Sequence, residues 1–166
     1  HNLNLVTPTH FVPQILKGLG IAMQRGFNLP ILYNTSGYES METLRLLDGI
    51  VDIYLPDMRY ADNAVALRYS SAPHYPEINR AAIKEMFRQV GNLVLDENGV
   101  AQRGLIIRHL VLPGGLSGTE GVMKFLDGEV SKDVYISLMS QYFPAYRAQE
   151  FKEIDRRITP EEYDEA

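Results

Sequence analysis

Five short β-type runs alternate with helical segments along the 166 residues, and each run ends in polar or turn residues. The runs are Leu3-Asn4-Leu5-Val6, Pro30-Ile31-Leu32-Tyr33, Val51-Asp52-Ile53-Tyr54-Leu55, Leu105-Ile106-Ile107 and Val134-Tyr135-Ile136-Ser137-Leu138. A strand, a helix and a further strand joined by short turns imply parallel pairing through right-handed crossovers. The chain is therefore expected to be an α/β fold of about five parallel strands, as a partial (β/α) barrel or as an open doubly wound sheet. The near-continuous apolar run at 105–107 predicts a sheet covered on both faces.

The helical segments have their own signals. Ile15, Leu16, Leu19 and Met23 recur at helical spacing over residues 13–24, with Gly26 placed to stop the helix. Ser40 is a candidate N-cap for a helix that turns Leu44 and Leu47 inward and ends near Gly49. Residues 61–69 and 77–90 read as two more helices punctuated by Pro73 and Pro76, and residues 119–126 as another. Between them Leu93-Val94-Leu95, Asp96-Glu97-Asn98-Gly99 and Val100-Ala101 predict an inserted β-hairpin, because Asn-Gly supplies the positive-φ positions of a tight turn. One domain is expected over 1–166, with a polar tail from 144 to 166 that closes on the capping box Thr159-Pro160-Glu161-Glu162. A start at His1-Asn2-Leu3-Asn4 and a helix signal with little chain behind it read as a piece of a longer protein.

Charge and composition narrow the function classes. The formal net charge is −5 and basic residues are scattered, so no stripe is present that would track a nucleic-acid backbone. No apolar run approaches the roughly 18 residues of a membrane span, and no basic n-region opens the chain. A cytoplasmic protein is expected. Cysteine is absent, which excludes disulfides, Cys-zinc sites and a thiolate nucleophile.

In parallel α/β architectures the working groups collect at the C-terminal ends of the strands. That rule selects Thr7, Thr9 and His10 after the first strand, and Asn34, Thr35 and Ser36 after the second. It selects Asp57 and Arg59 after the third, Arg108 and His109 at the fourth, and Gln141 and Tyr142 after the fifth. Each group also has a plain structural reading. Thr7 to His10 can cap a helix, and Asn34, Thr35, Ser36 and Gly37 are ordinary turn formers. Asp57 and Arg59 can pair at a rim, and Gly114-Gly115 can serve a tight turn. Arg108 at a sheet end needs an anion or several acceptors, whereas His109, one residue on, is expected to point the other way in a structural role.

In order, these tips resemble the C-terminal part of the radical S-adenosylmethionine family, in the branch related to pyruvate formate-lyase activating enzyme. The residues that carry the likeness are 4–10 (NLVTPTH), 33–38 (YNTSGY), 52–59 (DIYLPDMR), 108–114 (RHLVLPG) and 138–142 (LMSQY), within residues 3–163. The resemblance implies a fragment of a six-stranded (β/α) barrel that binds S-adenosylmethionine. It also implies a 4Fe–4S cluster whose Cys-x-x-x-Cys-x-x-Cys ligands lie outside this chain, and a 5′-deoxyadenosyl radical made by the longer protein. Thr7, Thr9 and His10 stand where the family has a Gly-Gly-Glu stretch. Asn34, Thr35 and Ser36 match a Thr-Asn-Gly turn beside the cofactor, and Asp57 and Arg59 match an Asp-x-Lys at the ribose and carboxylate. Arg108 matches an arginine at the methionine carboxylate, and Gln141 and Tyr142 match a segment at the adenosine. A protein with a glycyl-radical loop is the implied partner, and this chain alone is expected to be inactive. Two other readings stand beside this one. One is a metal-dependent hydrolase with His10, Asp57 and His109 as ligands; the other is a non-catalytic incomplete barrel that self-associates through an exposed sheet edge.

Overall fold

A computed structural model describes residues 1–166. The strand–helix alternation forms as expected, with strand β1 (Leu3–Val6), helix α1 (Val12–Gln24), β2 (Ile31–Thr35), α2 (Met41–Leu47) and β3 (Ile53–Pro56). Helices α3 (Asn63–Ser70) and α4 (Tyr75–Val90) follow, then strands β4 (Val94–Leu95) and β5 (Ala101–Leu110). Helix α5 (Thr119–Glu129), strand β6 (Tyr135–Met139) and helix α6 (Pro160–Glu165) complete the chain. Pro76 does not interrupt a helix. It sits in the first turn of α4, where its missing N–H has no helical acceptor to serve.

The five long strands are parallel and lie in sequence order, β1-β2-β3-β5 with β6 beyond β5. β4 pairs antiparallel with the first residues of β5, so the hairpin forms where its Asn-Gly turn predicts it. Its second arm and the fourth predicted strand are one ten-residue strand. Gly104 joins them at φ +123°, and a Cβ there would stand 2.5 Å from the Asn92 carbonyl oxygen.

Because the order never reverses, each right-handed crossover delivers its helix to the same side. The core confirms this: Ile31, Tyr33, Tyr54, Leu105 and Ile107 alternate along three strands and pack with α1, α2, α4 and α5 in one cluster. The expectation of a sheet covered on both faces, and with it the doubly wound alternative, is therefore corrected. The opposite face carries the buried Leu32, Ile53 and Asp57, the half-buried Asn34, Leu55, Ile106 and Arg108, and the exposed Val6. The apolar run at 105–107 misled because Ile106 belongs to that open face, whereas Leu105 and Ile107 face the helices.

The polar tail is not loose. Ala148 and Ile154 are buried, the Tyr142 hydroxyl donates to the Ile154 carbonyl at 2.8 Å, and the Tyr163 hydroxyl donates to the Leu138 carbonyl. The capping box at Thr159 and Glu162 forms as the sequence indicates. No helix is long and apolar enough to cross a membrane.

Gly104→Ala is expected to destabilise the chain by about 2 kcal/mol or more, because both the positive φ and the closeness of Asn92 oppose a methyl group. Gly128→Ala in α5, where a Cβ meets nothing within 4 Å, should be neutral or stabilising by up to about 1 kcal/mol. Urea denaturation of the two variants checks the contrast.

Candidate functional site

The C-terminal tips of β2, β3 and β5 are drawn together by backbone and side chain alike. The Asp57 N–H donates to the Thr35 carbonyl at 2.9 Å, and the Met58 N–H donates to the Arg108 carbonyl at 2.9 Å. Asp57 and Arg108 stand opposite each other as a parallel bridge beyond the end of β3. Above them α4 supplies a clamp. Buried Asn79 donates through Nδ2 to the carbonyls of Gly37 and Asp57, and the Tyr75 hydroxyl lies 3.2 Å from those of Ser36 and Asp57. The same hydroxyl accepts from the Arg59 N–H at 3.1 Å. Burial pushes the Tyr75 phenol well above its ordinary range, so it keeps the proton it donates. Gly37, at φ +72°, leaves the room Asn79 needs, since a Cβ there would collide with Asn79 Nδ2 and the Asp57 carbonyl.

The side chain of Asp57 is the electrostatic centre of the rim. The residue is only 3% exposed, and its two oxygens serve two guanidiniums. Oδ2 accepts from Arg59 Nε at 3.1 Å and Nη2 at 2.6 Å, and Oδ1 lies 2.6 Å from Arg108 Nη2. Burial opposes the charge on Arg59, and the Asp57 carboxylate more than offsets it, leaving that guanidinium above its ordinary value. Arg108 Nε is buried and has no partner. One carboxylate and two guanidiniums leave an excess of one positive charge beside the open face of the sheet.

The predicted residues therefore separate into groups. Asn34 lies opposite Leu55 in register, two residues before Asp57, so Asn34, Asp57 and Arg108 occupy one sheet face at one edge. Thr9 and Thr35 turn to the helix side, where both hydroxyls donate to Glu39 Oε1, Thr9 at 2.6 Å. The Tyr33 hydroxyl reaches the same oxygen at 3.4 Å. Ser36 contributes its carbonyl to Tyr75 while its side chain is exposed. Tyr142 is spent on the C-terminal segment. Thr7 (φ +53°), His10 and Gln141 are exposed; His10 lies against the Phe11 ring and Gln141 donates to Met139 Sδ.

The proposed metal triad does not assemble. His109 faces the helix side, as expected from its alternation with Arg108, and is fully buried. Its Nδ1 lies 2.6 Å from the Met58 carbonyl, which can only accept, so Nδ1 carries the proton and Nε2 accepts from the Thr119 hydroxyl at 3.0 Å. No three His, Cys, Asp or Glu side chains converge on a metal position anywhere in the chain.

Three organising residues escape a reading by strand tips. Glu39 is buried yet directly precedes the capping Ser40, where an acid looks like helix-start chemistry. Tyr75 follows a proline-rich turn. Asn79 did leave a signal, since it and Gln89 are the two polar residues in the otherwise apolar series Asn79, Ala82, Ile83, Met86, Gln89 and Val90 on the buried face of α4.

Burial holds the His109 imidazole below its ordinary value of about 6.5. As pH falls through that value the unfolded chain binds a proton that the folded chain refuses. Stability is expected to be intact above about pH 6.5 and to decline below it, by up to about 1.4 kcal/mol per pH unit from this residue. Urea midpoints measured from pH 7.5 to 5 should show the decline, and His109→Gln should flatten it.

No family model matches the chain, and no solved structure matches it. It is 33% identical over 168 aligned positions to an uncharacterized protein, MJ0674, of Methanocaldococcus jannaschii. The match takes in 99% of this chain and 44% of that protein, so the chain spans less than half the length of the curated relative it matches.

Proposed function

We propose that this chain is the adenosylmethionine-binding wall of a partial (β/α) barrel in a cytoplasmic radical S-adenosylmethionine enzyme of the activating-enzyme type. The observation that carries the reading is the rim triad. Asp57 fixes Arg59 and Arg108 beside an open sheet face, with one positive charge in excess and a buried guanidinium N–H left over. An α-amino acid carboxylate fits that excess charge, because the part-exposed Arg108 guanidinium offers donors in the fork geometry that a carboxylate accepts. Sequential strands with helices on one face support the barrel, whose interior would be the face bearing Asn34 and Arg108.

These residues do not fit an iron–sulfur cluster: the chain has no cysteine, and thiolates are the usual cluster ligands. The reading assigns the cluster ligands to another part of a longer protein. Bound adenosylmethionine supplies a sulfonium whose reductive cleavage starts the chemistry of this class. The residues here bind and orient. Arg108 and Arg59 hold the carboxylate end, Asp57 keeps both guanidiniums in place, and the Asn34 amide offers one donor pair and one acceptor to the nucleoside. A protein with a glycyl-radical loop is the target the reading assigns to the longer protein.

Calorimetric titration of the chain with S-adenosylmethionine tests this. Hydrogen bonds to charged groups contribute roughly 1.5–3 kcal/mol, so Arg108→Gln should weaken binding about ten- to hundredfold, while Gln141→Ala should change it little. Undiminished affinity in Arg108→Gln would overturn the assignment.

A further inference from the structure

Beside the rim, between the end of α3 and the segment 142–154, lies an open cleft of about 730 Å³. That volume is in the range of pockets for small organic molecules. Three guanidiniums line it, those of Arg59, Arg68 and Arg147, and no acidic side chain does. Their acidic partners are not among the lining residues. Glu153 holds Arg68 at 2.6 Å, and Glu150 takes Arg147 Nε and Nη2 at 2.8 and 2.7 Å. Arg68 spends one nitrogen and Arg147 two, so each guanidinium is fixed in place and still has N–H donors to offer.

The cleft is also aromatic. Tyr69 and Phe151 meet edge to face at 5.2 Å, with the Arg68 guanidinium 5.5 and 5.4 Å from their ring centres. Phe143 is 60% exposed and Tyr146 is 94% exposed. Tyr146 is held at φ +54°, a left-handed conformation that costs a tyrosine roughly 1–3 kcal/mol. The chain thus places a bare ring at the mouth of a guanidinium-lined cleft at the expense of backbone strain. Arg157 stands 5.2 Å from the Phe143 ring centre and adds a further cation nearby.

We propose that this cleft binds a small organic anion in which a phosphate is joined to a planar ring. The phosphate meets Arg68 and Arg147, and the ring stacks on the exposed aromatic side chains. A nucleotide and a simple aryl phosphate share this chemistry. The inference does not depend on the reading of the Asp57 rim.

The test is calorimetric titration of the chain with four probes: adenosine 5′-monophosphate, phenyl phosphate, adenosine and inorganic phosphate. The two ring phosphates should bind at least tenfold tighter than adenosine or inorganic phosphate. Adenosine monophosphate more than tenfold tighter than phenyl phosphate identifies a nucleotide, and equal affinities identify a general aryl phosphate site. Arg147→Gln should weaken phenyl phosphate about tenfold. Tyr146→Asn should weaken it as well, since asparagine tolerates the left-handed backbone and removes only the ring. Arg108→Gln should leave it unchanged. Adenosine or inorganic phosphate binding as tightly as the ring phosphates would overturn the proposal. So would full affinity in Arg147→Gln, an exposed position whose loss spares the core and which decides alone if Tyr146→Asn does not fold. A loss in Arg108→Gln without one in Arg147→Gln would move the anion to the rim and equally refute the cleft.

Discussion

A carboxylate buried as deeply as that of Asp57 must be compensated within the protein, and the arrangement of the strand tips follows from how this is done. Removing an ion from water costs several kcal/mol, and leaving it unpaired costs more than the pair returns. Arg59 comes from the same loop, but Arg108 comes from β5, so the pairing fixes the tip of β3 to that of its neighbour. The main-chain carbonyl of the same residue takes Asn79 and Tyr75, which joins the tip to α4 and, through Ser36 and Gly37, to β2. One residue thus orders three strand ends and the longest helix.

What that order leaves accessible depends on the winding. Each crossover turns the same way, so all the helices that pack on the sheet accumulate on one face and their apolar stripes form one core. The other face stays outside that core, and polar groups placed on it such as Asn34 and Arg108 are only part-buried. A reversal of strand order after β3 would have brought α5 across that face and buried Arg108 under it. The functional reading of the rim therefore rests as much on topology as on the identity of its residues.

The alternation of elements, the hairpin and the two caps at Ser40 and Thr159 were legible because each has a local cause. A turn needs Asn-Gly, a cap needs a hydroxyl, and a helix needs apolar residues at spacing three and four. The composition of the rim was legible only in part. Neighbouring residues at a strand tip point to opposite faces, so Asn34 and Thr35, adjacent in sequence, serve different clusters. Which face each meets depends on the register that sets Asn34 beside Leu55 and Asp57 beside Arg108. Register arises from pairing between distant segments and leaves no mark within a single tip. Glu39 was hidden for a related reason: its three hydroxyl neighbours come from positions 9, 33 and 35, and only the folded sheet makes them neighbours of one oxygen.

The two carboxylate-centred clusters at the strand tips show why one is read as structural and the other as a binding site. Both contain buried polar atoms without a hydrogen-bond partner, Glu39 Oε2 in the first and Arg108 Nε and Asp57 Oδ1 in the second, where Oδ1 still has its ionic contact with Arg108 at 2.6 Å. Glu39 is 2% exposed and lies under three hydroxyls that tie β1 to β2, so no ligand can reach its free oxygen without opening the sheet edge. An acceptor with one satisfied oxygen is tolerable there, since hydroxyl donation already stabilises the charge. Arg108 differs in both respects. More than a quarter of its side chain is exposed on the uncovered face, and its unspent group is a charged donor, for which an unmet bond costs more. An anion arriving from solvent can meet the exposed part of that guanidinium without displacing Asp57, while Nε itself stays buried. Accessibility, not the mere presence of an unpaired atom, separates the structural cluster from the one able to hold a ligand.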